Sequence, residues 1–197
     1  VIVLSDDTTL EIRQEIFNRI NTTGREANAS EIRRGSFRGP FMDFLMECTK
    51  DPVFKEVCPI SETMSKRYEQ LELVIRFFAF LNRYEQFTHR VDTFLDKYIE
   101  DVKDSFEKDK MKEEFDRTMK FVKKYFPYGF AKSANAKSTP RVRFEAIAVG
   151  VALALRENPE LQPTSMKWLD SKEFKIHTTT HASNSSARVS GRILYVK

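Results

Sequence analysis

The chain has 197 residues, 41% of them hydrophobic, enough for one or two compact units with a real core. Its formal net charge of +4 is spread over 31% charged residues of both signs, which describes a solvated helical surface and excludes a dedicated polyelectrolyte binder. No apolar run approaches the length of a membrane span and no signal-peptide pattern is present, so no membrane partner and a cytoplasmic setting are expected.

In chain order, Val1, Ile2, Val3 and Leu4 form a short apolar run that predicts a buried strand. Asp6 and Asp7 follow as acids suited to a helix N-terminus. Thr8 and Glu11 have capping-box spacing, and Leu10, Ile12, Ile16, Phe17 and Ile20 give an apolar helical stripe ending at Gly24. Phe17 and Asn21 lie four residues apart on one face of that helix. The residues alone leave Asn21 either as a turn residue at a helix end or as an amide turned to a ligand. Asn28 and Glu31 start a second helix, which Gly35 and Gly39 interrupt. Pro40 opens a third, with Phe41, Phe44, Leu45 and Cys48 on its buried face. Asp51 and Pro52 begin a short helix that Pro59 ends.

From about Ser65 the pattern is a helical array. Leu71, Val74, Ile75, Phe78 and Leu81 make one stripe, and Leu73, Phe77 and Phe80 widen it into a helix apolar almost all round, the mark of a central helix. Val91, Phe94, Leu95, Tyr98, Ile99, Val102 and Phe106 repeat at helical spacing, as do Met111, Phe115, Met119, Val122 and Phe126. The seventeen phenylalanines are therefore expected to be core. Pro127, Tyr128 and Gly129 break the last stripe, and residues 132–138 read as a loop. Pro140 then introduces a helix over residues 141–157, in which Gly150 permits close helix approach. The tail fits either a helix through Val189, Ile193 and Val196 or a strand through Val189, Gly191, Ile193 and Tyr195.

Signals for chemistry are sparse. Cys48 and Cys58 have no companion ligands and are expected as buried free thiols. His177 and His181 have metal-ligand spacing, but three threonines between them disfavour a helix and no third ligand follows, so they read as polar loop residues. There is no phosphate-binding glycine loop, no nucleophile elbow and no metal or catalytic residue to assign. Basic residues are more suggestive. Arg25, Arg33, Arg34 and Arg38 follow Asn21; Lys132, Lys137, Arg141 and Arg143 have no acid among them; Lys172, Lys175, Arg188, Arg192 and Lys197 enrich the tail. Arg34, Arg38, Lys137, Arg141, Arg143, Arg188 and Arg192 are the candidates to hold phosphates of DNA or nucleotide.

The stretch Phe17-Asn-Arg-Ile-Asn21-Thr-Thr-Gly24, followed by Glu31-Ile-Arg33, resembles the second signature of a prokaryotic family: the ParB-like N-terminal domain of GmrSD-type, modification-dependent restriction endonucleases. Arg76-Phe-Phe-Ala-Phe-Leu81, Phe144-Glu-Ala-Ile147 and Arg188-Val-Ser-Gly-Arg192-Ile193 also look like segments of that family, so the resemblance extends over most of the chain. It implies a mainly α fold: the end of a ParB-like α/β subdomain in residues 1–39, then a helical domain in residues 40–197. It also implies a nucleotide-dependent DNA-recognition role in antiphage defence, with a nuclease domain or subunit as partner. Phe17 would pack the motif helix beneath the nucleotide pocket, and Asn21 would hydrogen-bond the nucleotide or hold its loop before Gly24. Glu31 and Arg33 would be supporting polar residues, with Arg19 beside them.

The family's first signature, Asp-Gly-Gln-Gln-Arg, is not in these residues, and the chain begins at Val1. It is therefore expected to be a fragment inactive by itself, with NTP and Mg2+ as cofactors of the intact parent only. The competing expectation is a non-enzymatic helical module for protein–protein interaction, since apolar-striped helices carry no activity of their own.

Overall fold

The computed structural model describes Thr8, Thr9, Glu11, Ile12, Glu15, Ile16 and residues 27–179 and 184–197. Glu11, Ile12, Glu15 and Ile16 are helical. The strand predicted at residues 1–4, the motif residues Phe17, Arg19, Asn21 and Gly24, and His181 lie outside the described residues. Within them the chain is mainly α with no strand, and no helix is long and apolar enough to cross a membrane.

The first helices form where caps and prolines place them. Helix α1, Ala29–Ser36, carries a complete capping box: the Asn28 side chain accepts from the Glu31 N–H, and Glu31 accepts from the Asn28 N–H. Helix α2, Pro40–Lys50, starts at its proline, and α3, Pro52–Val57, is capped by Asp51, which accepts from the Val53 and Phe54 N–H groups. A single turn, α4, Glu62–Ser65, leads to α5, Glu69–Arg83, buried without interruption from Leu71 to Leu81. Then come α6, Val91–Val102, and α7, Lys108–Tyr125. The periodicity carrying Phe106 overruns the helix: α6 stops at Val102, because Lys103, Asp104 and Ser105 offer no apolar face to continue it. Phe106 returns from the loop to pack on Phe41 and Phe44, at 5.0 and 5.6 Å between ring centroids.

Helix α8, Arg141–Glu157, is the second central element and packs along α5, α7 and the C-terminal helix. That tail is a helix: α10, Ser186–Val196, capped by Ser185. Gly150 is the reason it can lie so close. A Cβ there would sit 2.6 Å from Val196 Cβ and 2.8 Å from the Ile193 carbonyl oxygen. Before α10 come a 3-10 turn at Lys167–Asp170 and α9, Lys172–His177, capped by Ser171.

Among the described residues the phenylalanines lie in the core or pack against it, as their spacing predicts. Phe54, Phe77, Phe78 and Phe115 knit α3, α5 and α7 through ring contacts of 5.0 to 6.0 Å. Cys48 and Cys58 are buried free thiols, and burial pushes each up to about 12. Neither will react with a thiol reagent at neutral pH until the chain unfolds, since the thiolate is the reactive form. Labelling across a urea gradient should track global unfolding for both.

Candidate functional site

In the sequence, helix α1 begins five residues after Gly24, and two sets of contacts clamp it. At its start, the Asn28 amide donates to the Arg67 carbonyl at 3.2 Å, while the Arg67 guanidinium meets Glu31 at 3.2 Å. Glu31 thus closes the capping box and ties α1 to the chain entering α5. Tyr68, the residue at that entry, adopts a left-handed φ of 59°.

Farther along α1, Arg33 begins a buried ionic chain across the molecule. Its Nη1 donates to Glu72 at 2.6 Å, its Nε to Asp96 at 2.6 Å, and its Nη2 lies 3.5 Å from Asp92. Ser30 donates to the same Glu72 oxygen at 2.8 Å. The other Glu72 oxygen accepts from Arg76 Nε at 2.8 Å, Arg76 reaches on to Glu145, and Glu145 meets Arg192 at 3.1 Å. Arg141 flanks the chain, bound to Glu69 by two hydrogen bonds of 2.7 Å. The side chains of Arg33, Glu72, Glu145 and Arg192 are each 1% exposed. The chain links α1, α5, α6, α8 and α10, with members alternating in sign so that each buried charge has a counter-charge.

Burial alone would raise the Glu72 carboxyl, but Arg76, Arg33 and Arg141 outweigh it and, with the Ser30 hydroxyl, hold it at about 2. The sign follows from linkage: a carboxyl depressed from 4.5 to about 2 contributes stability that is complete above 4.5 and lost as pH falls toward 2. That contribution is on the order of 3 kcal/mol. Asp96 works the other way, because burial pushes its carboxyl up despite Arg33. Urea midpoints should therefore fall through that acid window, and Glu72→Gln should flatten the decline.

The phosphate candidates occupy contrasting places. Arg38, between α1 and α2, and Lys137, in the loop before α8, are exposed and carry no ion pair among the described residues. Arg34 is half-buried, its Nε without a hydrogen-bond partner among the described residues. Arg188 donates to the Ile176 carbonyl at 3.3 Å. Arg33, Arg141 and Arg192 bind carboxylates within the fold. Arg143 is buried beneath the Phe174 ring, 5.1 Å from its centroid.

Arg143 also lines a cleft of about 390 Å³. Gly129 and Lys132 approach it from the loop after α7, Leu169 and Asp170 from the 3-10 turn, Lys175 from α9 and Thr178 from just beyond its end. Neither the cleft nor the ionic chain is evident from sequence: Glu72 and Arg76 hide inside an otherwise apolar stripe. Their one signal is an acid and a base four apart on a helix apolar all round, where an unpaired charge would be untenable. His177 ends α9 with its ring 4.9 Å from that of Tyr195, and no group of residues fit to hold a metal occurs among the described residues. No protein-family model, curated protein or solved structure matches the chain.

Proposed function

We infer that this chain is the helical part of a ParB-like, nucleotide-dependent DNA-recognition domain of a modification-dependent restriction system. One observation carries the reading. The segments that resemble the family are far apart in sequence, yet Arg33, Arg76, Glu145 and Arg192, each from a different one, join in a single buried ionic chain. Charges buried at this cost hold a geometry. What this chain holds is α1, the helix leading out of the Phe17–Gly24 motif. In this reading Asn21 meets the nucleotide, Phe17 supports it from the core side, and Arg19 stands nearby. Glu31 and Arg33 fix the exit helix, while Arg38, Lys137, Arg34 and Arg188 supply phosphate contacts to DNA. NTP with Mg2+ and a nuclease partner belong to the same proposal.

The test is anisotropy of modified and unmodified DNA duplexes titrated with the natural protein carrying these residues, with and without nucleoside triphosphate and magnesium. Binding should require the nucleotide. Asn21→Ala should weaken the nucleotide response roughly 5- to 150-fold, the value of a ligand hydrogen bond of about 1–3 kcal/mol, while leaving the melting curve in place. DNA binding indifferent to nucleotide, or an Asn21→Ala protein that binds normally but melts early, would overturn it.

A further inference from the structure

The cleft beside the first turn of α8 contains a cation whose charge the described residues leave unanswered. Arg143 is 8% exposed, yet no carboxylate stands within ion-pair distance among the described residues, and its buried Nε has no hydrogen-bond partner there. The other deeply buried arginines, Arg33, Arg76 and Arg192, each meet a carboxylate. An unpaired buried guanidinium is costly, and a fold able to pair three others has left this one open. The Phe174 ring fixes the guanidinium by a cation–π contact without neutralising it. Burial pushes Arg143 below its ordinary value, with Asp170 only partly opposing.

The walls extend the same chemistry. Lys132 and Lys175, both exposed, add positive charge to the rim, against Asp170 as the acid on the described wall. Thr179 brings a hydroxyl, whereas that of Thr178 already donates to the Phe174 carbonyl at 2.8 Å. Pro127, Tyr128, Met166 and Leu169 are apolar, and Tyr128 is 47% exposed, leaving its ring accessible. The volume lies within the usual range of small-molecule sites and exceeds the needs of a bare oxyanion.

We propose that this cleft binds a phosphate monoester bearing a flat apolar group, its phosphoryl oxygens held by Arg143, Lys132 and Lys175 and its substituent resting on Tyr128, Met166 and Leu169. Three cations facing one acid suit a dianion better than a carboxylate, and guanidinium geometry matches phosphoryl oxygens in pairs. The inference rests on the cleft alone and is independent of the DNA-recognition reading.

Calorimetric titration of the whole chain with phenyl phosphate tests it, with inorganic phosphate, a nucleoside 5′-monophosphate and benzoate as comparison arms. Phenyl phosphate should saturate a single site and bind more tightly than inorganic phosphate or benzoate. Arg143→Gln should weaken it about 10-fold or more, the value of a charged hydrogen bond. Lys132→Gln and Lys175→Gln should weaken it and Asp170→Asn should tighten it, each by roughly two- to fivefold. These three positions are exposed, so they decide the matter even where Arg143→Gln fails to fold. A nucleoside monophosphate stronger than phenyl phosphate identifies a nucleotide as the source of the phosphoryl group, and one weaker identifies a smaller monoester; both support the site. No saturable binding of phenyl phosphate, equal binding of benzoate, or an affinity unmoved by Lys175→Gln and Asp170→Asn would overturn it.

Discussion

Glu72→Gln is expected to destabilise the protein by about 3–5 kcal/mol, the range for breaking a buried ion pair from one side. The substitution conserves size and leaves a hydrogen-bonding amide, so the loss is electrostatic. Glu72 stands between Arg33 at 2.6 Å and Arg76 at 2.8 Å, with the Arg141 guanidinium 3.8 Å away. Without its charge, Arg33 retains Asp96 and Arg76 retains Glu145, but the guanidinium groups then face a neutral amide in a site closed to water. A domain with about 5–15 kcal/mol of total stability loses a large share of it. The complementary substitution distinguishes charge from packing. Removing Glu145 and Arg192 together, as Glu145→Met with Arg192→Met, should cost far less than Glu145→Gln alone, since the single change strands the buried Arg192 charge and the paired change removes it. Urea unfolding of all three variants checks both statements. Equal losses for the single and the paired changes would mean the chain contributes through packing only.

The same residues show where sequence reading succeeds and where it stops. Apolar periodicity and end signals are local, so α2, α5, α7 and α8 were legible with bounds close to those observed: proline at the first turn of α2, the all-round apolar stripe of α5, the Asn28–Glu31 box of α1. Even the ambiguous tail has a physical arbiter in Gly150, whose missing Cβ accommodates a second helix at Val196. The short α3 was legible from Asp51 and Pro52, but α4 and α9 escaped because their only signals are single serine caps, Ser61 and Ser171. The ionic chain escaped for a different reason. Arg33 and Glu72 are 39 residues apart and Arg76 and Glu145 are 69, so nothing local couples them. Arg141 and Arg143 look alike in a basic stretch, yet one turns to Glu69 and the other lies under Phe174. Which way each arginine faces is a property of the packed helices, and that separates an internal tie from a ligand group.

Gly129→Ala is the second substitution expected to have a large effect, and it bears on the cleft that Gly129 lines. Gly129 has a φ of +54°, a left-handed conformation that costs a side-chain-bearing residue about 1–2 kcal/mol. Space is the harder constraint. An alanine Cβ would fall 2.2 Å from the Val57 carbonyl oxygen and under 3 Å from Val57 Cα and carbonyl carbon, all of them backbone atoms that cannot rotate aside. That carbonyl accepts the Phe130 N–H at 2.8 Å, so relieving the clash also breaks the hydrogen bond seating the loop on α3. Phe130, fully buried, anchors this loop against Phe144 with 4.7 Å between ring centroids. Strain, overpacking and a lost buried hydrogen bond together should cost about 3 kcal/mol or more. Thermal melting measures that directly. Because Gly129 and Lys132 share the loop that walls the Arg143 cleft, the same variant should also bind phenyl phosphate more weakly under conditions where it remains folded. Wild-type stability in Gly129→Ala would mean that the loop can leave Val57 without cost, and the rigid wall of the cleft would go with it.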